Sequence, residues 1–554
     1  MKKILSFDAI LTLMVAAILF AFFRYVHPEL LNFHEEYQLF LLNSEYFLER
    51  ALLPGGVAAW TAGFLTQFFY LTTIGAVVMA AMLVVLLLLV WRKVKFLPLA
   101  LLPLALMVIA VGNQNLMPAY IVSIIIAMSV EAILPKKSHG LAVDIVLTTA
   151  AGLLSYWLTG PMAWLTLLLI TARSTDGVKF SARITSAIIA AVAVVIATAL
   201  SCNIAAYPAM RVITGLYYNR LPTSSVDIIG ACVPVAIILL SVLAEKVLNE
   251  ELTARLKSSK WLLPATSLAV IIASAVVVPK TYNAGEYEHM RYDYYLRGQR
   301  WDDIVAFANK QMPTKPFGVC ALNLALAMRG ELCDRMFDYF QHGSEGLLPP
   351  FSRDYSSPLA AAEAYWQIGL VNTAQRYCFE VMEAIPDYQK SGRLIKRLVQ
   401  TNIVNGEYGV ARKYCQMLQQ TLFYRSWAEK ELARLNLKAD EREKAINSDP
   451  VYGRLRQSRL DNDFLFSDKE IDKMMGQLFM KNSKNALAMQ YLIAFPLVDK
   501  DPQRFTAYMT VVRQKCQYMP QAAREAASII MVQQGKAAPQ TMIQGSYYRY
   551  LNSN

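Results

Sequence analysis

Paired acidic side chains stand directly after the first long apolar stretch of the sequence. Glu35 and Glu36 follow His34 in a segment that also carries aromatic residues. Charged groups near a membrane surface are costly unless water solvates them or a function requires them. Residues 33–50 fit an amphipathic helix in the membrane interface, with the carboxylates on its solvated face. Alternatively, one carboxylate is a general base that deprotonates or orients an acceptor hydroxyl during sugar transfer.

Two arginines in a later loop could hold the departing phosphate of a sugar donor. Arg211 and Arg220 suit this task because a planar guanidinium makes bidentate contacts with phosphate oxygens. Alternatively, they reach lipid headgroups at the interface. Other candidate substrate contacts are polar or aromatic residues that would also serve as polar turns or interfacial anchors. They are His34, Asn113, Gln114, Tyr207, Tyr218 and Arg291.

Several other chemistries lack their sequence motifs. The five histidines show no i, i+4 spacing, so no metal site is predicted. A GKS/T phosphate loop, a GxSxG elbow and an HExxH motif are missing, which argues against a P-loop ATPase, an α/β hydrolase and a zinc protease. The seven cysteines include no CxxC and are interpreted as small buried apolar residues. No cofactor is predicted, and no block of like charge indicates nucleic-acid binding.

The elements that must position these residues divide the chain into two parts. Charged residues make up 17% of the chain, below the roughly 25% of a soluble protein. Residues 1–279 are apolar, whereas residues 280–554 hold most of the charge. Because a span needs about 20 mostly apolar residues, the first part predicts about nine transmembrane helices. They lie near 7–26, 70–91, 96–112, 116–134, 141–159, 161–173, 184–201, 226–247 and 261–279, with a tight turn at Gly160–Pro161.

The orientation of the chain in the membrane is predicted from its Lys and Arg residues. They give the chain its net charge of +12 and are unequally distributed among the loops. Positive residues concentrate before the first span and after the second, fourth, sixth and eighth. Cytoplasmic loops collect such residues, so the N-terminus is predicted in the cytoplasm. After nine spans the C-terminal part lies across the membrane. The sequence therefore predicts a multi-pass protein of a bacterial inner membrane, with residues 280–554 in the periplasm.

The C-terminal part shows helical periodicity and a degenerate repeat. Its cleanest copies begin at Gly369 and Gly406, and weaker copies begin at Gly298 and Gly330. The intervals of 32, 39 and 37 residues lie near the 34-residue period of tetratricopeptide repeats. Each helical pair leaves an apolar face that its neighbour covers, which predicts a soluble α-solenoid. The repeats are assigned to 280–437, and 438–554 is predicted as a helical extension of the solenoid.

This all-α layout resembles the GT-C superfamily of membrane glycosyltransferases. Members carry an acidic motif in the first outer loop, here Glu35–Glu36, followed by juxtamembrane helices, here near 33–70. The resemblance covers residues 1–250 in architecture, and a repeat tail after a multispan enzyme is similar to transmembrane mannosyltransferases. It implies a polyprenyl-phosphate-linked sugar as donor, Glu35 or Glu36 as base, and a protein or glycan acceptor presented by the repeats. The layout also resembles an uncharacterised family of bacterial envelope proteins.

A non-enzymatic function is the alternative. Solenoids are mostly binding surfaces, so the chain could be a membrane-anchored scaffold that assembles cell-envelope proteins. A transporter fits less well, because the sequence shows no inverted repeat of broken helices. The scaffold predicts that substitution of Glu35 has no effect, whereas the enzyme predicts loss of transfer.

Overall fold

The computed structural model describes residues 7–135, 137, 140–173, 180–221, 228–247, 261–461 and 470–553. Within these ranges the chain is helical and forms no β-strand, in agreement with the predicted all-α class. The chain divides into two compact units, Met1–Ala284 and Gly285–Asn554. We call them the membrane unit and the repeat unit. The boundary lies five residues from the one that composition predicts.

The membrane unit contains α-helices numbered here in chain order. They are α1 (Phe7–Ala21), α2 (Pro28–Glu36), α3 (Ser44–Ala51), α4 (Gly56–Thr66), α5 (Thr72–Val94), α6 (Leu97–Val111), α7 (Pro118–Ile133), α8 (Leu141–Thr159), α9 (Ala163–Ala172), α10 (Phe180–Ile204), α11 (Ala209–Thr214), α12 (Ile228–Lys246) and α13 (Leu262–Thr281). A π-helical turn, Phe22–Val26, extends α1, and 3-10 turns cover Gln67–Tyr70 and Gly160–Met162.

Six stretches of the described residues are long and apolar enough to cross a membrane. They are Phe7–Val26, Thr72–Val94, Leu141–Ala172, Phe180–Ile204, Ile228–Lys246 and Leu262–Thr281. Two other predicted spans correspond to the shorter helices α6 and α7, of 15 and 16 residues. At 1.5 Å per residue these are about 23 Å long, less than the roughly 30 Å of a hydrocarbon core. Both are largely buried, whereas α10 and α13 expose most of their apolar residues.

The stretch Leu141–Ala172 folds back on itself at Gly160, as the Gly160–Pro161 dipeptide predicts. The hydroxyls of Ser155 on α8 and Thr166 on α9 lie 2.7 Å apart. A continuous helix would separate positions 11 residues apart by about 16 Å, so α8 and α9 must be antiparallel. Gly160 adopts a φ of +73°, which glycine allows without strain.

The loops of the membrane unit gather at two opposite ends of the helices. At the first, which we call the loop end, residues 27–71 meet the turns at 112–117 and 160–162 and the segment 205–221. The backbone amide of Gly55 donates to the carbonyl of Trp157 (3.0 Å), and that of Arg220 donates to Asn115 (2.7 Å). At the second, which we call the basic end, Lys93 and Arg173 both contact Glu131.

The repeat unit is a series of short helices. They are α14 (Ala284–Arg297), α15 (Trp301–Lys310), α16 (Pro316–Met328), α17 (Leu332–Arg335), α18 (Leu359–Ile368), α19 (Val371–Ala384), α20 (Gly392–Asn405), α21 (Tyr408–Gln419), α22 (Arg425–Leu435), α23 (Ala439–Asn447), α24 (Tyr452–Ser458), α25 (Ile471–Lys481), α26 (Ala486–Val498), α27 (Pro502–Lys515), α28 (Gln521–Gln533) and α29 (Ser546–Leu551).

Three of the four repeated glycines mark the turn inside successive helical pairs; Gly298 does not, and the residue with positive φ there is Gln299 (+50°). Gly330, Gly369 and Gly406 have φ of +76°, +111° and +84°. They follow α16, α18 and α20, and each pair's second helix starts within two residues. A residue at positive φ just after a helix is most often glycine, because a β-carbon is strained there. This shared turn explains why the repeat is visible in the sequence.

The C-terminal helices do more than extend this series, because α26 packs against earlier helices. Nearly all residues of α26 are buried. The side chain of Gln490 accepts a hydrogen bond from the amide of Leu332 (3.2 Å) and donates to the carbonyl of Ala327 (3.0 Å). Asn485 likewise donates to the carbonyl of Ile368 (2.9 Å). The unit is thus closed by contacts between residues more than 100 positions apart.

Asn485 is therefore expected to matter more than an ordinary helix cap. Its side chain also accepts from the amide of Ala488 (3.1 Å). Asn485→Ala removes a cap worth about 1 kcal/mol and leaves the Ile368 carbonyl unpaired, so we expect a loss of about 2 kcal/mol. Ser391→Ala, which removes only a capping bond to Leu394, should cost about 1 kcal/mol. Denaturant unfolding of the purified protein measures both, and equal losses would contradict the second contact.

Candidate functional site

The acidic pair lies on α2, a helix of nine residues with every residue buried. Pro28 starts the helix, because its missing N–H is not needed in the first turn. The predicted amphipathic helix over residues 33–50 does not form. Instead α2 ends at Glu36, and Asn43 starts α3 by accepting a hydrogen bond from the amide of Tyr46 (2.7 Å). The predicted juxtamembrane helices near 33–70 are thus the three separate helices α2, α3 and α4.

Both carboxylates of the pair are withdrawn from water. Glu35 is 7% exposed and Glu36 is fully buried. The side-chain amide of Asn32, one turn earlier, donates to Glu36 at 3.5 Å. By contrast, Glu45 and Glu49 on α3 are exposed. The solvated-face interpretation therefore describes α3 and is wrong for Glu35 and Glu36.

His34, which precedes these acids in the sequence, is fully buried near the cation Arg220. Burial, and secondarily the charge of Arg220, lowers the pKa of its imidazole to about 3. The ring is therefore neutral at physiological pH. Neither ring nitrogen forms a hydrogen bond with a residue that the structure describes. A neutral imidazole keeps one donor and one acceptor, so His34 has the chemistry to contact a hydroxyl or to pass a proton.

Arg220 contacts residues of α2 and the adjacent Tyr37, although it follows Tyr37 by 183 residues in the sequence. Its guanidinium lies 5.2 Å from the ring centres of both Phe33 and Tyr37 and donates to the carbonyl of Tyr37 at 3.4 Å. Aromatic faces attract cations, more strongly where water is excluded. A short backbone pairing between Leu116 and Asn219 holds this segment in place. The structure thus brings Arg220 to the predicted acidic helix.

Arg211 has a different role from the predicted one. Its guanidinium donates to three backbone carbonyls of its own loop, those of Leu216 (3.2 Å), Asn219 (3.3 Å) and Leu221 (3.1 Å). The side chain is 6% exposed, so it does not extend to lipid headgroups. Arg211 therefore stabilises the loop that positions Arg220 beside α2.

Tyr218 is a second fixed point of the same segment. Its hydroxyl donates to the carbonyl of Thr159 and accepts from the amide of Met162 (3.1 Å). Its ring packs edge-on against Tyr120, with centroids 5.2 Å apart. Burial raises the pKa of the phenol, so it stays protonated and keeps donating. Tyr207 is half-buried just after α10.

The other predicted contacts are Asn113, Gln114 and Arg291. Asn113 is exposed and its side chain accepts from the amide of Asn115 (3.0 Å), which supports its interpretation as a polar turn. Gln114 is half-buried in that turn. Arg291 belongs to the repeat unit, on α14, where its guanidinium lies 6.0 Å from the ring centre of Phe307.

Sequence reasoning missed a buried charge cluster at the basic end. Glu131 is fully buried between Lys93 and Arg173. The signal was present, because the loops after the second, fourth and sixth spans were all predicted on one side. An ion-pair cluster of Lys93, Glu131 and Arg173, which lie at the ends of those spans, could therefore have been predicted.

Two large apolar grooves open along the membrane unit. The first has a volume of about 340 Å³ and lies between α7, α9 and α12, and its polar lining includes Tyr218 and Asn219. The second, of about 300 Å³, lies between α1, α6 and α13. Neither groove is lined by Glu35 or Glu36. Among the described residues, no group of three His, Cys, Asp or Glu side chains is arranged to hold a metal ion.

The sequence model of a protein family of unknown function (DUF6057) matches residues 2–549. The chain belongs to this family. No curated protein and no solved structure matches the chain significantly. Because the family model covers both units, the membrane unit and the repeat unit occur together as one family architecture.

Proposed function

We propose that this chain is a membrane glycosyltransferase of GT-C type. It moves a sugar from a polyprenyl-phosphate-linked donor to an envelope acceptor on the non-cytoplasmic side. Glu35 or Glu36 is the base for the acceptor hydroxyl, and Arg220 stabilises the negative charge that develops on the departing phosphate. No cofactor takes part, and the partners are the bilayer, the lipid-linked donor and a protein or glycan acceptor.

The main support for this proposal is that Arg220 lies in contact with the acidic helix α2. A purely solvated acidic segment would leave its carboxylates in water, yet Glu35 and Glu36 are buried. Buried ionisable groups in a membrane protein are costly and are commonly functional. His34 adds a neutral hydrogen-bonding group within the same helix. The three chemistries that sugar transfer needs, a base, a cation and a hydroxyl contact, thus lie together.

The donor's lipid tail fits the groove between α7, α9 and α12. Its walls are largely apolar, and Trp164, Leu168 and Val235 are exposed at its open side. Tyr218 and Asn219 lie at its polar end, next in sequence to Arg220. Since both glutamates are closed off from bulk water, the proposal requires the elements that cover α2 to move when the acceptor enters.

The proposed topology has nine crossings, with α6, α7 and α9 as short crossings inside the bundle. The basic end faces the cytoplasm of a bacterial inner membrane under the positive-inside rule, and the loop end faces the periplasm. The repeat unit, a tetratricopeptide-like solenoid in this proposal, then lies in the periplasm and presents the acceptor. Glycine turns at Gly330, Gly369 and Gly406 support the tetratricopeptide-like assignment.

The decisive test replaces the buried pair while leaving the exposed pair as a control. In Glu35→Gln/Glu36→Gln we expect transfer to a glycan acceptor to fall by about 100-fold, the lower range for losing a general base. Envelope glycoconjugates and transfer from a polyprenyl-phosphate sugar in membranes are the measurements. Glu45→Gln/Glu49→Gln, on exposed α3, should keep wild-type transfer.

Protein level in the membrane must be matched, because the buried pair also contributes to folding. Unchanged glycans in Glu35→Gln/Glu36→Gln at normal protein level would count against the enzyme. The alternative function, a membrane-anchored scaffold for envelope proteins, would then be favoured. An equal loss of transfer in the Glu45→Gln/Glu49→Gln control would also contradict a specific role of α2.

A further inference from the structure

A small cleft with charged side chains in its lining lies at the basic end, away from the acidic helix, and shares Arg173 with the charge cluster on Glu131. It lies where the ends of α7 and α9 meet the first turns of α8 and α10, and it has a volume of about 50 Å³. A cavity needs about 10–15 Å³ of such space to hold one water molecule, so the cleft admits a compact oxyanion rather than a sugar ring or a nucleotide. Its charged lining consists of Lys137, Asp144, Arg173 and Arg183.

The charges around this cleft favour an anion. Arg173 already balances Glu131, together with Lys93, so the buried carboxylate is shared between two cations. Of the cleft's other charges, Lys137 and Arg183 outnumber Asp144. Among the described residues that line the cleft and form the cluster, the cations therefore outnumber the carboxylates.

The two arginines retain unused donors. Arg183 donates one hydrogen bond to the backbone carbonyl of Arg173, and Arg173 donates to the carbonyls of Leu134 and Pro135. The Nε atoms of both arginines are buried and have no hydrogen-bond partner among the residues that the structure describes. A buried donor without an acceptor is costly, so a ligand oxygen in the cleft would be stabilising.

The surroundings of the cleft select a lipid over a soluble ion. The first turns of α8 and α10 line the cleft, and both helices expose large apolar side chains near these ends. They are Leu141, Val143, Val146, Phe180, Ile184 and Ile188. Acyl chains would lie along these side chains while the headgroup phosphate occupies the cleft. Basic pockets between transmembrane helices on the cytoplasmic side commonly bind anionic headgroups in this way.

We propose that the cleft lined by Lys137, Arg173 and Arg183 binds the phosphate of an anionic phospholipid. The bound lipid bridges α8 and α10 at the basic end. This site is independent of the proposed sugar transfer, because it lies at the opposite end of the helices from α2.

The test measures lipid selectivity of the full-length protein in nanodiscs of phosphatidylcholine with a minor share of phosphatidylglycerol. Mass spectrometry of the retained lipid should show enrichment of phosphatidylglycerol around the wild type. Arg183→Gln and Lys137→Gln should each reduce that enrichment by roughly five-fold, the effect of one interfacial cation. Arg92→Gln removes an exposed cation at the same end outside the cleft and should leave the enrichment unchanged.

Two results would overturn the proposal. One is equal enrichment in the wild type, Arg183→Gln and Lys137→Gln, each with a melting temperature near that of the wild type. The other is stabilisation of the detergent-solubilised protein by inorganic phosphate as large as that by phosphatidylglycerol, which would assign the cleft to a soluble anion. Lys137 is exposed, so Lys137→Gln remains informative if Arg183→Gln does not fold.

Discussion

Replacement of Glu131 by glutamine is expected to destabilise the membrane unit by about 3–5 kcal/mol. Glu131 is fully buried, receives the ammonium group of Lys93, and lies 3.4 Å from a guanidinium nitrogen of Arg173. Glutamine keeps the shape of the side chain but leaves both cations without a counter-charge. Breaking a buried ion pair from one side costs more than the pair itself contributes, because the remaining charge stays desolvated.

Thermal unfolding of the detergent-solubilised protein measures this effect, with Glu245→Gln as the matched control. Glu245 is exposed near the end of α12, so its replacement should change stability by less than about 0.5 kcal/mol. Adding Lys93→Met to Glu131→Gln should recover part of the loss, since it removes one of the two uncompensated cations. A Glu131→Gln protein as stable as the wild type would show that the cluster is not buried in the folded protein.

Acidification is expected to destabilise the protein through His34. The pKa of its imidazole is about 3 in the folded chain, against 6.5 for an unperturbed histidine. Between these two values the unfolded chain binds more protons, so stability falls as the pH falls. The contribution is complete above pH 6.5 and is lost at about 1.4 kcal/mol for each pH unit below it. At pH 4.5 the expected loss is therefore about 3 kcal/mol.

His34→Gln isolates this contribution because glutamine does not titrate. The unfolding free energy of the variant should depend less steeply on pH between 6.5 and 4.5 than that of the wild type. Burial also lowers the pKa of His289 in the repeat unit, so both proteins should keep some acid sensitivity. Parallel pH profiles for wild type and His34→Gln would contradict a neutral, enclosed imidazole at position 34.

The two buried charge sites of the membrane unit are held together by different contacts. At the basic end, Glu131 is paired by cations from α5 and from the end of α9, which ties three helices together. At the loop end, Arg220 is held on aromatic rings beside buried glutamates.

Much of the architecture follows from local patterns in the sequence. Apolar stretches of about 20 residues predict the long helices, since backbone groups in a membrane must be hydrogen-bonded within their own segment. Gly160–Pro161 predicts the hairpin because glycine alone readily adopts its φ of +73°. The repeated glycines at 330, 369 and 406 predict helical pairs for the same reason. These features need only neighbouring residues to be understood.

The tertiary structure decided which of the polar residues are buried and what they contact. Nothing in the sequence near His34 tells that Arg220, 186 positions later, lies close enough to lower its pKa. From the sequence alone, Glu35 and Glu36 fit a solvated helix face and a functional site equally well. Only the folded structure shows that neighbouring elements bury them. The same holds for Gln490, whose partners lie some 160 residues away. Local propensity acts over a few residues, whereas burial and pairing of charge depend on segments that only folding brings together.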